Sequence, residues 1–137
     1  MATNTDAYTT KASDKFRLEA SKLMLAPADA TYNLIKIPKY SFVTDVWIQI
    51  VSVSTLLASI EVGWLGNGEV AVTNGFITND ISDPTVLGMK RAFNTNLTTF
   101  PGKYFGSAAG AITATVADNN GAVGNFRVFV QFAVIIA

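Results

Sequence analysis

Apolar and polar residues alternate with a period of two in four segments of this chain. In "VTDVWIQI", Val46, Ile48 and Ile50 fall on one face, and the residues between them fall on the other. The alternation recurs in three further segments, whose apolar faces are Ile60, Val62 and Trp64, then Ile112, Ala114 and Val116, and finally Phe126, Val128, Val130 and Phe132. This period is typical of β-strands that bury one face. The pattern therefore predicts several short strands.

The segment "DKFRLEASKLML" fits two patterns. Phe16, Leu18 and Ala20 alternate as they would in a strand. Phe16, Ala20 and Leu23 also match the spacing of a helix, with Ser13 as its N-cap. Of these two interpretations, we favour the strand.

Turn signals separate the strands. Asn67–Gly68 and Asn74–Gly75 have the chemistry of tight turns, because both residue types tolerate positive φ. Between residues 76 and 93 we expect loops, short strands and one brief helical turn. Several short strands divided by turns predict an all-β protein of about eight strands, an antiparallel sandwich or barrel. We assign residues 1–14 to a flexible arm and residues 15–137 to a single sandwich domain.

The last strand is apolar on both faces. Phe126, Val128, Val130 and Phe132 are expected to face the core of the sandwich. Phe129 and Ile135 are expected to meet a second apolar surface, formed by another segment or by another subunit. An exposed edge of this composition would template aggregation. The strand is therefore predicted to lie centrally in its sheet or beneath another subunit, and the sequence leaves both arrangements open.

Composition excludes much chemistry. The chain has no cysteine and no histidine, so disulfides, thiolate zinc sites and Ser-His-Asp or Cys-His catalysis are impossible. The ten acidic residues are scattered without a convincing pair. We therefore expect no enzyme and no cofactor. Charged residues make up 15% of the chain and the formal net charge is zero, which favours close association between copies. This balance predicts no direct binding of nucleic acid, and the apolar tail is too short to span a membrane.

Two polar clusters offer weak candidate sites. Asn79, Asp80 and Asp83 supply oxygen atoms that calcium could use, but such residues are more often ordinary loop caps, and we predict no metal site. Lys90 and Arg91 form the only adjacent basic pair. A single pair is a weak signal for nucleic acid, so we interpret it as a solvated loop or an inter-subunit contact.

Three aromatic residues are candidates for stacking against sugars. They are Trp47, Trp64 and Tyr104. Trp64 continues an apolar face, which indicates core packing. Trp47 shares its face with Asp45 and Gln49, so we expect it at the surface, where it could contact a glycan or a protein partner.

Four ordered segments together resemble virion structural proteins of tailed bacteriophages. They are "IKIPKYSFVTDVWIQI", "ASIEVGWLGNGE", "GFITNDISDPTVLGMKRA" and "ITATV…GNFRVFVQF", and they span roughly residues 30 to 134. The chain departs from that pattern at "QFAVIIA", where the family often ends in acidic and polar residues. The departure favours a buried end for this strand.

The resemblance implies an antiparallel β-sandwich that is jelly-roll-like and works by assembly, such as a capsid decoration (cement) or minor capsid protein. It implies a homo-oligomer, a trimer, that binds the major capsid protein or other virion proteins. Such a protein is made in the host cytoplasm and placed on the capsid exterior. The alternative is a glycan-binding or adhesion module of a head fibre or tail, which would use Trp47.

Overall fold

The described part of the chain consists of nine β-strands and one short helix. The computed structural model describes residues 16–66, 68–92 and 102–135. The arm predicted at residues 1–14 and Asn67 of the first predicted turn lie outside the described residues. The strands are β1 (Phe16–Ala20), β2 (Ala30–Ile37), β3 (Ser41–Ile50), β4 (Ser59–Gly66), β5 (Glu69–Ile77), β6 (Gly88–Arg91), β7 (Lys103–Phe105), β8 (Gly110–Ala117) and β9 (Phe126–Val134), and the helix is α1 (Asn79–Ser82).

The strands form two antiparallel sheets. In the front sheet the order is β1-β9-β3-β6, with β7 also paired to β3, and in the back sheet it is β2-β8-β4-β5. β6 pairs with residues 47–50 and β7 with residues 41–43, so these two short strands share one edge position. Each sheet thus has four positions, the layout of an eight-stranded jelly roll. The predicted antiparallel, jelly-roll-like sandwich is confirmed, with one edge strand divided in two.

The core lies between the sheets, and β9 is a central strand of the front sheet. This strand pairs with β1 on one side and with β3 on the other. Its inward side chains are fully buried, and they are Phe126, Val128, Val130 and Phe132. They form one apolar cluster with residues of the back sheet such as Val62 and Ile112. The two flanking strands satisfy both backbone edges of β9, which protects it from pairing with other chains.

A bulge in β3 sets which side chains face the core. Val43 pairs with Phe132 and Asp45 with Gln131, so Thr44 is an extra residue in this strand. The Thr44 hydroxyl donates to the Gln131 carbonyl oxygen at 3.2 Å. An extra residue shifts the alternation by one. Val43 therefore faces the core while Asp45, two positions later, faces outward.

The dipeptide Asn74–Gly75 lies inside β5, so the tight turn predicted there is wrong. Neither residue has the positive φ that such a turn requires. The register of β5 against β4 shifts twice, which indicates bulges in this edge strand. A Cβ on Gly75 would stand 2.0 Å from Cζ3 of Trp64. The glycine is needed for close packing against the indole ring.

The helical turn expected between residues 76 and 93 is present as α1. The Ser82 hydroxyl donates to the Ile60 carbonyl oxygen at 2.7 Å, and Asn79 Oδ1 accepts the Ile60 N–H at 3.0 Å. These bonds attach the turn to β4 in the back sheet. Within the described ranges, no helix is long and apolar enough to cross a membrane.

Val130→Asp is expected to prevent stable folding. Its cross-strand neighbours are Glu19 and Val46, so the new carboxylate would be buried without a cation. Losing the buried valine costs about 1.5–3 kcal/mol and the unpaired charge several more, against the roughly 5–15 kcal/mol that stabilises a domain. Denaturant unfolding and solubility measure the effect. Asn33→Asp, on an exposed position of β2, is the matched control, and equal stability of both variants would contradict the expectation.

Candidate functional site

The pairing register defines the outer face of the front sheet. Trp47 of β3 pairs with Phe129 of β9 and with Arg91 of β6, and Phe129 pairs with Ala20 of β1. Residues that pair across antiparallel strands point to the same face. One row of side chains therefore crosses the outer face from Ala20 through Phe129 and Trp47 to Arg91.

The edge strand β1 presents its apolar side chains outward. Arg17 pairs with Phe132, whose side chain faces the core, and the Arg17 guanidinium carbon lies 5.9 Å from the centre of that ring. Phe16 and Leu18 therefore point to the outer face, where both are exposed. A solvated sheet face normally carries polar residues. In β1 the arrangement is reversed. The apolar side chains point to the outer face, and the charged side chains point toward the edge of the core.

Four residues form an apolar concavity on this face, which we call the front patch. They are Leu18, Trp47, Met89 and Phe129, and the concavity measures about 240 Å³. Leu18 is 67% exposed and Met89 is 53% exposed, whereas Trp47 and Phe129 are half-buried. The patch therefore combines a fixed aromatic floor with exposed aliphatic walls.

An ion pair borders the front patch. Arg91 Nε donates to Asp45 Oδ2 at 2.5 Å, and the Val46 N–H donates to Asp45 Oδ1 at 2.8 Å. The Asp45 side chain is 4% exposed and that of Arg91 is 43% exposed. The guanidinium carbon of Arg91 lies 5.6 Å from the centre of the Trp47 ring. The buried carboxylate thus fixes a cation over one face of the indole.

The outer face of the back sheet has a different character. Thr31, Thr115 and Glu61 are aligned across β2, β8 and β4. The hydroxyl groups of Thr31 and Thr115 are 2.9 Å apart and hydrogen-bonded. Asn33 is exposed on the same face. These positions are polar, as expected of a solvated sheet face, unlike the row that crosses the front sheet.

The structure brings together three of the residues singled out from the sequence and separates two others. Trp47, Phe129 and Arg91 are neighbours on the outer face of the front sheet. Ile135 lies at the opposite end of the sandwich from the β3–β4 loop, where its N–H donates to the Tyr40 carbonyl oxygen at 2.6 Å. It is therefore outside the front patch.

Lys90 points toward the rim of the sandwich. Its ammonium group donates to the carbonyl oxygens of Val86 and of Asp83, the latter at 3.1 Å. Burial lowers the pKa of Lys90, and the nearby Asp83 carboxylate opposes that change. Lys90 thus ties the loop before β6 to that strand, while its neighbour Arg91 faces outward.

The three aromatic candidates for sugar stacking do not form one platform. Trp64 lies in the back sheet, where its ring packs edge-on against Phe76 with centroids 5.0 Å apart. Tyr104 pairs with Phe42 in the front sheet, on a different row from Trp47. The predicted core packing of Trp64 is consistent with this placement against the apolar cluster.

The oxygen-bearing residues around α1 serve local hydrogen bonds. Asn79 Oδ1 is used by Ile60, and Asp83 Oδ1 accepts the Thr85 hydroxyl at 2.6 Å. Among the residues that the structure describes, no three His, Cys, Asp or Glu side chains are placed to hold a metal ion. The arrangement is that of a capped loop.

Leu18 and Met89 are the patch residues that sequence reasoning missed. The alternation around Leu18 predicts a strand, but alternation alone does not say which side of an edge strand is buried. Met89 lies in a four-residue strand, too short to show a period. One feature of the sequence could have pointed to them. Phe129 is an apolar residue on the outer side of the last strand, and such a residue is expected to have apolar neighbours on the adjacent strands.

The fold is shared with a chain from a phage capsid. No protein-family model and no curated protein matches this sequence. Among solved structures, the chain is similar to one in the acidic stable capsid structure of Helicobacter pylori bacteriophage KHP30, with 15% sequence identity and a TM-score of 0.61. The match covers 90% of this chain and 90% of that chain. At this identity the likeness is one of fold.

Arg91→Ala is expected to destabilise the fold by about 1–3 kcal/mol, because Asp45 would keep a buried carboxylate without its cation. Adding Asp45→Asn removes that charge, so the double variant should be more stable than Arg91→Ala alone. Chemical denaturation of both single variants and the double variant completes the cycle. Strictly additive effects would mean that the ion pair makes no coupled contribution.

Proposed function

We propose that this chain is a structural protein of a bacteriophage virion, of the type that decorates or cements the capsid shell. In this proposal it has no catalytic role and acts by binding. It is made in the host cytoplasm, associates with copies of itself, as a trimer, and attaches to the major capsid protein on the exterior of the head.

The fold match supports the class of protein. The similar chain belongs to a phage capsid structure, and the mutual coverage of 90% indicates that the two chains have similar lengths. Jelly rolls also occur in lectins and cupins, so the fold by itself does not decide the function. We choose among a capsid protein, a lectin and a cupin by the residues that the protein exposes at its surface.

The front patch is the observation that carries the proposal. Aromatic residues, methionine and arginine are enriched in protein–protein interfaces, and tryptophan and arginine are frequent hot spots. Trp47, Phe129, Met89 and Arg91 occur side by side on this face. The composition and exposure of this face favour burial against another protein, and we assign it to the contact with the capsid shell.

The geometry around Trp47 favours a protein partner over a glycan. A sugar-binding site combines a free aromatic face with converging polar groups. One face of Trp47 is occupied by Arg91, and the concavity beside it is lined by apolar side chains. These features leave the adhesion-module alternative with little specific support.

Leu18→Glu is expected to weaken attachment to phage heads by about tenfold or more, because it places a charge in the apolar contact. The measurement is binding of the purified protein to heads of the encoding phage prepared without it, read by co-sedimentation. Asn33→Glu, which adds the same charge to the outer face of the back sheet, is the matched control and should bind as the unaltered protein does.

Two results would count against the proposal. One is absence of the chain from purified virions by mass spectrometry. The other is glycan binding that disappears in Trp47→Ala while attachment of Leu18→Glu to heads is unchanged, which would support the adhesion module instead.

A further inference from the structure

One end of the sandwich is built from four loops that hydrogen bonds hold together. We call it the loop end, and it comprises residues 21–29, 51–58, 83–87 and 118–125. The Ser54 N–H donates to the Pro84 carbonyl oxygen at 2.8 Å, and the Ala26 N–H donates to Asn125 Oδ1 at 3.0 Å. Each loop is thus attached to another, so the end presents a fixed surface.

This fixed surface is unusually apolar. Exposed aliphatic side chains occur on three of its loops, and they include Leu25, Val53, Leu56, Leu57, Val86 and Leu87. Contiguous exposed apolar surface on a monomer marks an interaction site. The loop end is separate from the front patch, which lies on a sheet face, and so needs its own partner.

The loop end carries a projection and a pocket that are complementary in character. The projection, which we call the leucine knob, consists of Leu56, 85% exposed, and Leu57. The pocket, which we call the β1–β2 pocket, measures about 400 Å³, and its lining includes Leu23, Leu25 and Tyr32. An aliphatic knob and a largely apolar pocket therefore occur on one molecule.

The walls of the β1–β2 pocket are held in place. Met24 and Phe126 exchange two backbone hydrogen bonds, of 2.7 and 3.1 Å, which join this loop to the start of β9. The Tyr32 hydroxyl donates to the Ala28 carbonyl oxygen at 2.6 Å, which closes one side. The pocket is therefore formed before any partner arrives, which lowers the entropic cost of filling it.

The knob and the pocket lie apart on the loop end. The pocket belongs to the loop after β1, at one edge of the front sheet, whereas the knob belongs to the loop between β3 and β4, and β9 lies between β1 and β3 in that sheet. Two strand spacings separate β1 from β3, roughly 10 Å. The knob of a molecule does not line its own pocket, whereas the knob of a neighbouring copy can enter it.

The charges around the two features are complementary as well. Leu56 shares its concavity with Asp80 and Asp83, so two carboxylates lie on one side of the knob, and Lys90 lies beside Asp83 only. Lys22 is one of the residues that line the β1–β2 pocket, so the pocket has a cation at its border. Inserting a knob into a neighbour's pocket brings opposite charges together, which favours this register over others.

We propose that copies of this chain associate head to tail, with the leucine knob of one copy in the β1–β2 pocket of the next. An interface between two different patches closes into a ring when the rotation between copies allows it. The ring places the loop ends around a common axis and leaves every front patch free to bind a shell. This inference rests on the proposed function only in taking self-association as part of it.

Cysteine cross-linking tests the arrangement directly, because the chain has no cysteine of its own. Leu56→Cys mixed with Leu25→Cys should give a covalent dimer with a short bis-maleimide, and neither variant should cross-link with itself. Leu25→Cys mixed with Val70→Cys is the control, since Val70 is exposed at the opposite end of the sandwich. Self-cross-linking of Leu56→Cys, or no product from the mixed pair, would overturn the head-to-tail contact.

A charge exchange tests the same contact without cross-linking. Lys22→Glu should weaken self-association about tenfold or more in light scattering, because it places like charges together. The double variant Lys22→Glu/Asp80→Lys should recover most of the loss. If the double variant is no better than the single one, the knob does not meet this pocket.

Head binding separates this inference from the proposed function. If the unaltered protein stays monomeric at all concentrations and still attaches to heads, the ring and the self-association in the proposed function are wrong, whereas the proposed attachment to the capsid stands. If the mixed cysteine pair cross-links but the protein never attaches to heads, the ring stands and the decoration role is wrong.

Discussion

The front sheet carries apolar side chains on both of its faces, and the rest of the structure is arranged around that constraint. The back sheet covers the inner face, where Val128 and Val130 are fully buried. On the outer face, no described residue covers Leu18 and Met89, which remain more than half exposed. Apolar surface that folding leaves exposed provides free energy for association. This exposed outer face is the reason we propose that the chain acts in an assembly.

In the assembly that we propose, the two apolar surfaces have separate roles. The front patch is broad and aromatic, and the Asp45–Arg91 pair holds Trp47 rigidly in its floor. The loop end carries exposed aliphatic side chains, and its leucine knob and pocket lie two strand positions apart. A face of the first kind fits attachment to another protein, whereas a displaced knob and pocket fit repetition of the same chain. The proposed role, in which the protein both oligomerises and attaches to a shell, requires two such surfaces.

Much of the fold could be predicted from the sequence, because a period of two survives wherever one strand face is buried. Which face of β1 points to the core could not be predicted. Phe16 and Leu18 alternate with charged residues, and this pattern is the same whichever of the two sets is buried. The turn expected at Asn74–Gly75 was wrong because the glycine serves a different purpose. It leaves room for the Trp64 ring of the neighbouring strand, a contact that the local sequence does not reveal. The candidate site was found in part: Trp47, Phe129 and Arg91 were identified singly, but only the register of three strands shows that they are adjacent.

Oxidation of Met89 in the free and particle-bound protein tests most directly whether the outer face of the front sheet is covered in the virion. Met89 is 53% exposed in the front patch, while Met24 is 5% exposed and serves as the internal reference. In the free protein, peroxide should convert Met89 to the sulfoxide well before Met24, and in intact particles the Met89 rate should fall by about tenfold or more. Equal Met89 rates in the two states would contradict a covered front patch and the account built on it.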